Sequence, residues 1–368
     1  MAPGTHYTPA LSLRSSLAER ARDGVRAMAG YTPGEQPRSD GILKLNTNEN
    51  PYPPSPGVFE ALRELLTPER MRKYPDPTGR EFRETAGRVL GVDPEGIVIG
   101  NGSDDILTIL TRCFVPEGGL IASPTPSYTL YRTLAQIQHA RFETVPFTED
   151  WKLPQRWPLR DADLTFIPNP NSPSGTSVSL DEIARVANAV KGPLVLDEAY
   201  ADFAETNGLE LARSGLVIVT RSFSKTYSLA GMRFGFAVTD PVTARELGKV
   251  KDSYNCDVLS QAAATAAIAD QDYLAKVRAK ILATRTRLGT ELSGLGFAVT
   301  PSEANFVWCR RPEGGHEHIY RELKDRGVLI RYMKYDGYGD GLRITVGTDE
   351  ETDRLLTELR EILGPDGR

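Results

Sequence analysis

Short apolar runs rich in β-branched residues recur along the first two thirds of the chain, and each is followed by a turn and then by a helical pattern. A continuous apolar run of this length is typical of a strand that is buried on both faces. Strands that alternate with helices form a mostly parallel sheet with helices on both of its faces. We therefore predict an α/β, doubly wound domain with strands at 97–100, 119–123, 164–168, 193–197 and 215–220.

The helix that follows the run 164–168 carries signals for both of its ends. Ser179 and Glu182 have the spacing of a capping box. Gly192 precedes the next apolar run and stands where glycine commonly ends a helix. These signals predict a helix that begins after Ser179 and ends before Gly192.

The pattern changes after about residue 250. A long helical region over 260–296 is followed by several short strand and helix patterns and by a final helix near 349–363. A few strands with flanking helices form a smaller α+β domain. At 368 residues the chain is long for one hydrophobic core. We predict an N-terminal arm (1–45) that packs on a domain or on a partner, a large domain (46–255) and a small C-terminal domain (256–368).

Composition and charge narrow the classes of function. The chain is 40% hydrophobic and 25% charged, as soluble globular proteins are. Its formal net charge of -5 and pI of about 5.6 disfavour nucleic-acid binding, which needs a basic surface. No apolar run is long enough to predict a membrane span, and the N-terminal segment has no apolar core of a secretion signal. We expect a cytoplasmic protein that binds neither nucleic acid nor membrane.

Neither the cysteines nor the histidines predict a metal site. The three cysteines are far apart and form no C-x-x-C pair, which is typical of buried, reduced thiols. His316 and His318 stand in GGHEHIY, where an H-E-x-x-H motif would need a histidine in place of Tyr320. We therefore expect no bound metal.

Five segments with candidate chemistry each begin where a predicted strand ends. In parallel sheets, ligands bind at the carboxyl ends of the strands, so one ligand could contact all five segments. The segments are GNGSDD (100–105), SPTPSY (123–128), NPNSPSG (169–175), DEAY (197–200) and RSFSK (221–225).

Two of these segments allow more than one interpretation. GNGSDD resembles a dinucleotide fingerprint, but Asp105 occupies the position of the third glycine. Its glycine turn leads into a helix, whose first N–H groups, at Ser103 and Asp104, can bind an anion; a plain helix cap is the alternative. Ser222 and Lys225 have the S-x-x-K spacing of a serine hydrolase, but the partner motifs S-D-N and K-T-G are missing.

A third interpretation of RSFSK is that Lys225 is an amine that traps a carbonyl group. A lysine that forms a Schiff base with pyridoxal phosphate needs a carboxylate for the ring nitrogen and a cup for the phosphate. Asp197 ends the preceding predicted strand, 28 residues before the lysine. Ser222, Ser224 and Arg233 flank the lysine and suit a phosphate dianion.

These motifs, taken together, are similar to those of a known family. The chain resembles the fold-type-I pyridoxal-phosphate aminotransferases, which share the aspartate-aminotransferase-like fold. Within them it is most similar to the histidinol-phosphate aminotransferases, over residues 31 to 348. The matching motifs are LNTNENPY (45–52), KYPDPTG (73–79), GNGSDD (100–105), NPNSPSG (169–175), LDEAYADF (196–203), RSFSKTYSLAGMRFG (221–235) and LRITVGT (342–348).

The resemblance implies a role for each matching residue. Lys225 would be the catalytic lysine that carries the pyridoxal 5'-phosphate, Asp197 would pair with the protonated pyridine nitrogen, and Tyr200 would hydrogen-bond the phenolic oxygen. Tyr128 would stack on the pyridine ring, and Tyr74 would reach the phosphate of the partner subunit, which implies a homodimer with shared active sites. The phosphate ligands would be Ser103, Asp104, Ser222, Ser224 and Arg233.

One position departs from the family pattern. The family usually has asparagine directly before the proline of N-P-T-G, where it donates to the phenolic oxygen of the cofactor. In this chain that residue is Ser172, and asparagine stands one position earlier, at Asn171. We assign the role to Asn171, with Ser172 as the alternative.

The resemblance also implies how the substrate is held. Arg343 matches an arginine that binds an anionic group, and Arg331 matches a second arginine for the phosphate of histidinol phosphate, although a surface residue after a strand also fits Arg331. Tyr31 and Asn50 are the other expected contacts. The expected reaction converts histidinol phosphate and 2-oxoglutarate to imidazole acetol phosphate and glutamate, a step of histidine biosynthesis.

Other functions share parts of this pattern. Aromatic amino-acid aminotransferases and threonine-phosphate decarboxylase-like enzymes resemble it, and both use an anion-binding arginine. Two arginines suit a phosphate dianion, while one suffices for a carboxylate, and the sequence alone does not separate these activities. A pyridoxal-phosphate sensor without enzymatic activity would normally add a DNA-binding segment, and none is visible.

Overall fold

The computed structural model describes residues 17–30, 34–37 and 41–364. The strands, numbered in chain order, are β1 (Leu43–Lys44), β2 (Ile97–Gly100), β3 (Leu120–Thr125), β4 (Arg141–Pro146), β5 (Leu164–Pro168), β6 (Leu194–Asp197), β7 (Ile218–Ser222), β8 (Gly235–Val238), β9 (Ala298–Thr300), β10 (Phe306–Arg310), β11 (Val328–Leu329), β12 (Arg331–Tyr335) and β13 (Gly339–Thr345). The helices are α1 (Asp23–Ala27), α2 (Pro56–Leu65), α3 (Pro68–Met71), α4 (Arg80–Leu90), α5 (Ser103–Phe114), α6 (Leu130–Ile137), α7 (Leu180–Ala187), α8 (Leu209–Arg213), α9 (Pro241–Val250), α10 (Val258–Ala269), α11 (Gln271–Gly294), α12 (His316–Asp325) and α13 (Asp349–Leu363). None of the helices in these residues is long and apolar enough to cross a membrane.

The larger sheet has seven strands in the order β2-β8-β7-β6-β5-β3-β4. Strand β8 runs antiparallel to its neighbours β2 and β7, and all other neighbouring strands are parallel. The five predicted strands correspond to β2, β3, β5, β6 and β7, so the mostly parallel α/β sheet is confirmed. The apolar pattern does not predict β4, because most of its side chains are exposed or half-buried.

Alternate residues of the central strands face opposite layers of helices. In β6, Leu194 and Leu196 belong to a hydrophobic core that includes side chains of α2, α4, α7 and α10. Val195, between them, belongs to a second core with side chains of α5, α6 and α9. Because both faces of the strand are buried, its sequence is a continuous apolar run rather than an alternating one.

The smaller sheet is antiparallel, with the order β12-β13-β10-β9. Helices α11, α12 and α13 share its hydrophobic core, to which they contribute Ile281, Leu323 and Leu355. The chain before the large domain joins this unit, because β1 pairs in parallel with β11 and Leu43 lies in the same core. The small domain is therefore built from both ends of the described chain.

The chain passes from the core of the larger sheet to that of the smaller sheet at a position after residue 255, where we predict the domain boundary. Helix α10 contacts α2 and α4, and Ala263 and Ile268 lie in the core of the larger sheet. The core of the smaller sheet includes α11 from Val277 onward. We propose that Asp270, the N-cap of α11, marks the division between the two domains. In the described part of the predicted arm, α1 contacts α6 of the large domain.

Helix α7 begins where the sequence predicts and ends earlier. The side chains of Ser179 and Glu182 each accept the backbone N–H of the other, so the capping box is confirmed. The helix ends at Ala187, well before Gly192. A Cβ atom on Gly192 would lie 2.0 Å from the carbonyl oxygen of Asp163. The prediction of Gly192 as a helix stop was wrong, and glycine is needed there because two backbone segments lie in contact.

Candidate active site

A cavity of about 360 Å³ lies where the carboxyl ends of β5, β6 and β7 meet the amino end of α5 and the small domain. One side, here called the sheet wall, consists of Asp197, Ser222, Ser224 and Lys225. The opposite side, the hairpin wall, consists of Arg331, Met333, Tyr335 and Arg343 from β12 and β13. The sequence-predicted site residues that line the cavity are Ser103, Asp104, Tyr128, Asp197, Tyr200, Ser222, Ser224, Lys225, Arg233, Arg331 and Arg343.

Lys225 lies in the loop directly after β7. Its Nζ donates a hydrogen bond to the backbone carbonyl oxygen of Thr47 at 2.8 Å. Burial, together with the positive charge of Arg343, lowers the pKa of Lys225 to about 8. A lower pKa leaves more of the amine neutral near pH 7, and only the neutral amine attacks a carbonyl carbon. The environment of Lys225 therefore suits a carbonyl-trapping amine.

Asp197 ends β6, and the β6–β7 register places it opposite Thr220 on the neighbouring strand. Its Oδ2 accepts a hydrogen bond from the Tyr131 hydroxyl at 2.7 Å, and its Oδ1 accepts one from Thr220 Oγ1 at 3.2 Å. Burial raises the pKa of Asp197 to about 6, against the lowering effect of the hydrogen bond from Tyr131. The carboxylate is thus still ionised at neutral pH, and it faces the cavity.

The amino end of α5 forms an anion-binding cup with the loop after β7. Helix α5 begins at Ser103, so the N–H groups of its first turn have no partner within the helix. A Cβ atom on Gly102 would lie 2.6 Å from Nη2 of Arg233, so glycine is what allows the guanidinium to approach the helix end. Arg233 Nη1 also donates to Ser224 Oγ at 3.3 Å. Backbone N–H groups, hydroxyls and a guanidinium together fit a phosphate group.

Two tyrosines of the cavity are oriented by hydrogen bonds. The Tyr128 hydroxyl donates to Asp104 Oδ1 at 3.1 Å. The Tyr200 hydroxyl accepts a hydrogen bond from Asn48 Nδ2 at 2.9 Å. Asn48 is buried and has a positive φ of 56°, a conformation that asparagine tolerates better than most residues. The sequence interpretation missed Asn48, although the motif LNTNENPY contains it.

The hairpin wall presents two arginines to the cavity from adjacent strands. Arg331 and Arg343 are directly opposite each other in the β12–β13 register. Arg331, Met333 and Tyr335 all line the cavity, because alternate residues of β12 point to the same face. The interpretation of Arg331 as a mere surface residue is therefore not supported.

The structure separates Ser172 from Asn171. Ser172 lines the cavity, and its Oγ accepts a hydrogen bond from Arg343 Nη1 at 2.9 Å. Asn171 is buried away from the cavity, where its Nδ2 donates to the Pro126 carbonyl oxygen at 3.2 Å and to Ser174 Oγ at 2.9 Å. These bonds hold the Asn171 side chain away from the cavity. The structure therefore places the alternative, Ser172, at the cavity and does not place Asn171 there.

Asn50 and Tyr74 do not line the cavity either. Asn50 Nδ2 donates to the backbone carbonyl oxygen of Thr226 at 3.0 Å, so this residue supports the loop after β7. Tyr74 is 81% exposed, and its ring stacks on that of Tyr254 with a centroid distance of 4.4 Å. Tyr31 lies outside the described residues.

The sequence interpretation also missed the two hydroxyls that bind Asp197. Tyr131 lies on α6 at helical spacing from Tyr128, a position at which an aromatic residue is usually part of the core. Thr220 belongs to the apolar run of β7, which gives no separate signal for its hydroxyl. In the part of the chain that the structure describes, no three His, Cys, Asp or Glu side chains cluster as metal ligands would.

Comparison with known proteins identifies the family. The model of the family described as aminotransferase class I and II matches residues 40–359. The chain belongs to this family. One relative of this aminotransferase, the histidinol-phosphate aminotransferase of Rhodopirellula baltica, is 53% identical over 339 residues, which cover 91% of this chain and 93% of the relative. Another, histidinol-phosphate aminotransferase 1 of Trichormus variabilis, is 47% identical over 345 residues, which cover 93% and 98% of the two chains.

Solved structures agree with this assignment. The histidinol-phosphate aminotransferase of Sinorhizobium meliloti, solved in complex with pyridoxal-5'-phosphate, has a TM-score of 0.78 and 29% identity to this aminotransferase, over 88% of this chain and 91% of that one. The aspartate aminotransferase of Thermus thermophilus with maleate has a TM-score of 0.74 and 18% identity, over 88% and 92% of the chains, which shows a shared fold. The expected aspartate-aminotransferase-like fold and the expected transaminase class are confirmed.

Proposed function

We propose that this aminotransferase transfers the amino group of histidinol phosphate to 2-oxoglutarate, with pyridoxal 5'-phosphate as its cofactor. The observation that carries the proposal is the pair of cavity arginines, Arg331 and Arg343, on neighbouring strands of the hairpin wall. Two guanidinium groups suit a phosphate dianion, whereas one suffices for a carboxylate. The two relatives that are 53% and 47% identical carry the name histidinol-phosphate aminotransferase, which supports the same substrate.

The residues around the cavity fit pyridoxal phosphate. Gly102 leaves the end of α5 open to an anion, and Arg233 lies beside it. Asp197 is a buried carboxylate for the ring nitrogen, and Tyr128 supplies an aromatic face on the same cavity. The phosphate would be held by the backbone N–H groups of Ser103 and Asp104 and by the side chains of Ser222, Ser224 and Arg233. When bound, the cofactor withdraws electrons from the substrate Cα, so that the α-proton becomes acidic enough to be removed.

Lys225 and Asp197 divide the proton chemistry between them. The Asp197 carboxylate, ionised at neutral pH, would stabilise a proton on the ring nitrogen of the cofactor. The Lys225 amine would accept the proton that leaves the substrate Cα and would release it again later in the transfer. A pKa of about 8 suits a group that must accept and release a proton near neutral pH.

Tyr200 and Ser172 would donate hydrogen bonds to the phenolic oxygen of the cofactor. The Tyr200 hydroxyl already accepts a bond from Asn48, and the Ser172 hydroxyl accepts one from Arg343. A hydroxyl has one proton and two lone pairs, so the Ser172 hydroxyl can accept from Arg343 and donate at the same time. The bonds from Asn48 and Arg343 hold the two hydroxyl oxygens in place at the cavity.

The arginine pair also weighs against an aromatic amino acid as the substrate. An aromatic amino acid has one carboxylate, which Arg343 alone can bind, and would leave the half-buried Arg331 without an anionic partner in the cavity. A threonine-phosphate decarboxylase-like activity would also use two cations. A substrate panel that includes a phosphorylated amino acid separates this activity from transamination, because decarboxylation releases carbon dioxide.

We also propose a homodimer in which Tyr74 reaches the partner subunit. Tyr74 is 81% exposed, and its ring stacks on that of Tyr254, which is 48% exposed. Exposed apolar surface of this kind is typical of protein interfaces. A second copy of the chain would cover this surface, and the cytoplasmic location remains an expectation.

The cofactor proposal is tested by borohydride reduction. Protein loaded with pyridoxal phosphate should show a visible absorbance band that borohydride removes, and peptide mapping should find the reduced pyridoxyl group on Lys225. A pyridoxyl group on another lysine, or no visible band after loading, would refute the role of Lys225.

The substrate proposal is tested with a panel of amino donors. Histidinol phosphate, histidinol, phenylalanine, tyrosine and threonine phosphate are each offered with 2-oxoglutarate, and glutamate and carbon dioxide are measured. Histidinol phosphate should have the highest kcat/KM, and no carbon dioxide should be released. A higher kcat/KM for phenylalanine than for histidinol phosphate would overturn the proposal in favour of an aromatic amino-acid aminotransferase.

A further inference from the structure

Two buried hydroxyl groups hold the Asp197 carboxylate. The Tyr131 hydroxyl, on α6, donates to Oδ2 at 2.7 Å, and Thr220 Oγ1, on β7, donates to Oδ1 at 3.2 Å. Tyr131 and Thr220 are fully buried, and Asp197 is 5% exposed. Each oxygen of the carboxylate therefore has its own neutral donor, and the plane of the carboxylate is fixed from two sides.

The ring of Tyr131 is itself fixed by aromatic neighbours. It stacks on Phe166 of β5 with a centroid distance of 4.7 Å and an interplanar angle of 10°. The ring of Tyr128 lies against it edge-on, with a centroid distance of 5.6 Å and an angle of 87°. Because both neighbours fix the ring, the Tyr131 hydroxyl is held pointing toward Asp197.

We propose that Tyr131 is a positioning residue that keeps the Asp197 carboxylate ionised and directed into the cavity, with Thr220 as the second support. Tyr131 does not line the cavity, so it acts on the reaction through Asp197 and not by touching substrate or cofactor. The inference rests on the proposed function, in which Asp197 serves the ring nitrogen. It adds that the ionisation of Asp197 depends on the Tyr131 hydroxyl.

The electrostatics of the site agree with this geometry. Burial raises the pKa of Asp197 to about 6, the negative charge of Asp104 raises it further, and the hydrogen bond from Tyr131 is the largest effect that lowers it. The other titratable groups near the carboxylate are Tyr128, on the same side as Tyr131, and the cavity residues Tyr200, Lys225 and Arg233. Loss of the Tyr131 hydroxyl should therefore move the pKa of Asp197 upward, into the range where the carboxyl is partly neutral at pH 7.

The experiment compares three variants with the parent chain. Tyr131→Phe removes the hydroxyl and keeps the ring, and Thr220→Val removes the second donor with nearly the same shape. Tyr227→Phe is the matched control, because this buried tyrosine stacks on Phe223 and does not line the cavity. Carbon-13 NMR of the aspartate carboxyl groups, with the Asp197 signal identified by its loss in Asp197→Asn, gives the midpoint of titration in the cofactor-free chain.

Tyr131→Phe should raise the Asp197 midpoint by about one pH unit, because a lost hydrogen bond to a charged group has roughly that effect. Thr220→Val should raise it less, since its bond is longer, and Tyr227→Phe should leave it unchanged. In the loaded enzyme, the pH at which kcat/KM falls on the acidic side should move upward in Tyr131→Phe, and pyridoxal phosphate should bind more weakly. An unchanged midpoint in both Tyr131→Phe and Thr220→Val would overturn the proposal.

The test separates this inference from the proposed function. The midpoint in the cofactor-free chain reports on Tyr131 whether or not the protein transaminates histidinol phosphate. A shifted midpoint would confirm that Tyr131 keeps Asp197 ionised. If Asp197→Asn nevertheless keeps full transaminase activity, the proposed role of Asp197 in the reaction is refuted. If Tyr131→Phe does not fold, as a thermal melt would show, the shift in Thr220→Val decides the question.

Discussion

The sheet wall and the hairpin wall face each other across one cavity, and they are built in different ways. Asp197, Ser222 and Ser224 of the sheet wall are buried, at 5–7% exposure, and hydrogen bonds orient Asp197 and Ser224. Arg331, Met333 and Tyr335 of the hairpin wall are half-buried and come from a single strand of the small domain. We infer from this difference that the sheet wall would fix the geometry for proton transfer, while the hairpin wall would supply positive charge for an anionic substrate.

In the sheet wall, burial shifts the pKa values of two charged groups toward neutral pH. The pKa of Lys225 is lowered to about 8 and that of Asp197 is raised to about 6, in both cases chiefly by burial. Groups whose pKa values are moved toward neutral pH are typical of catalytic sites. The hairpin wall, by contrast, needs only permanent cations, and arginine stays charged at any physiological pH.

The largest effect is expected when the amine of the sheet wall is removed. Lys225→Ala should abolish turnover, because proton transfer by a positioned side chain contributes about 10²–10⁴-fold and the same group is proposed to carry the cofactor. Stopped-flow or steady-state transamination assays measure the loss. Lys191→Ala, which removes an exposed lysine on the surface of the large domain, is the control and should keep parental activity. More than a tenth of parental turnover in Lys225→Ala would contradict the assignment of the two walls.

The second prediction tests the hairpin wall. Arg331→Ala should lower kcat/KM for histidinol phosphate by roughly 10²-fold, which corresponds to the loss of one or two hydrogen bonds between charged groups. The loss for histidinol, which lacks the phosphate, should be much smaller. Arg310→Ala is the matched control, since this arginine lies on β10 of the same sheet and does not line the cavity. Equal losses for both substrates would remove the phosphate role of Arg331.

The two walls also differ in how far the sequence predicted them. Strands β6 and β7 are local apolar runs, and a parallel sheet brings their carboxyl ends together, so Asp197 and Lys225 followed from pattern and spacing. Asn171 and Ser172 are neighbours, and hydrogen bonds with Pro126, Ser174 and Arg343 decide which of them faces the cavity. Such a choice depends on contacts that are distant in sequence, and spacing contains no information about them.

Two other features escaped prediction for related reasons. Tyr131 has the helical spacing of a core residue, and it is one; its second role depends on Asp197, which is 66 positions away in the chain. The division that we propose near Asp270 rests on α10, which packs on the larger sheet, and α11, which packs on the smaller. The two helices are nearly continuous in sequence, so the apolar pattern alone gives no reason to divide them there.

The third prediction concerns the free energy of unfolding of the cofactor-free chain and its dependence on pH. Because the pKa of Asp197 is raised to about 6 in the folded chain, the folded state binds this proton more tightly than the unfolded state, whose Asp pKa is near 3.8. The contribution of this group to stability is therefore present below the unfolded pKa and is lost as pH rises through 6. Asp197→Asn has no such loss, so at pH 7.5 it should stabilise the cofactor-free chain by about 3 kcal/mol.

Thermal or urea unfolding of the cofactor-free chain at several pH values measures this effect. The advantage of Asp197→Asn over the parent should shrink as pH falls from 7 to 4, because the parent carboxyl becomes protonated in both states. Arg331→Met gives the comparison on the other wall, because arginine stays charged over this pH range. An advantage of Asp197→Asn that is the same at pH 4 and at pH 7.5 would show that burial of the charge is not its cause.

The smallest expected effect concerns Ser172, the residue that connects the two walls. Its Oγ accepts the hydrogen bond from Arg343 Nη1 at 2.9 Å while the residue lines the cavity. Ser172→Ala leaves that N–H without its acceptor and should lower kcat/KM about fivefold, for histidinol phosphate and histidinol alike, since a net hydrogen bond contributes about 1 kcal/mol. Ser172→Asn supplies a new acceptor and new donors and should restore most of the loss. A selective loss for the phosphorylated substrate would instead place Ser172 with Arg331 on the hairpin wall.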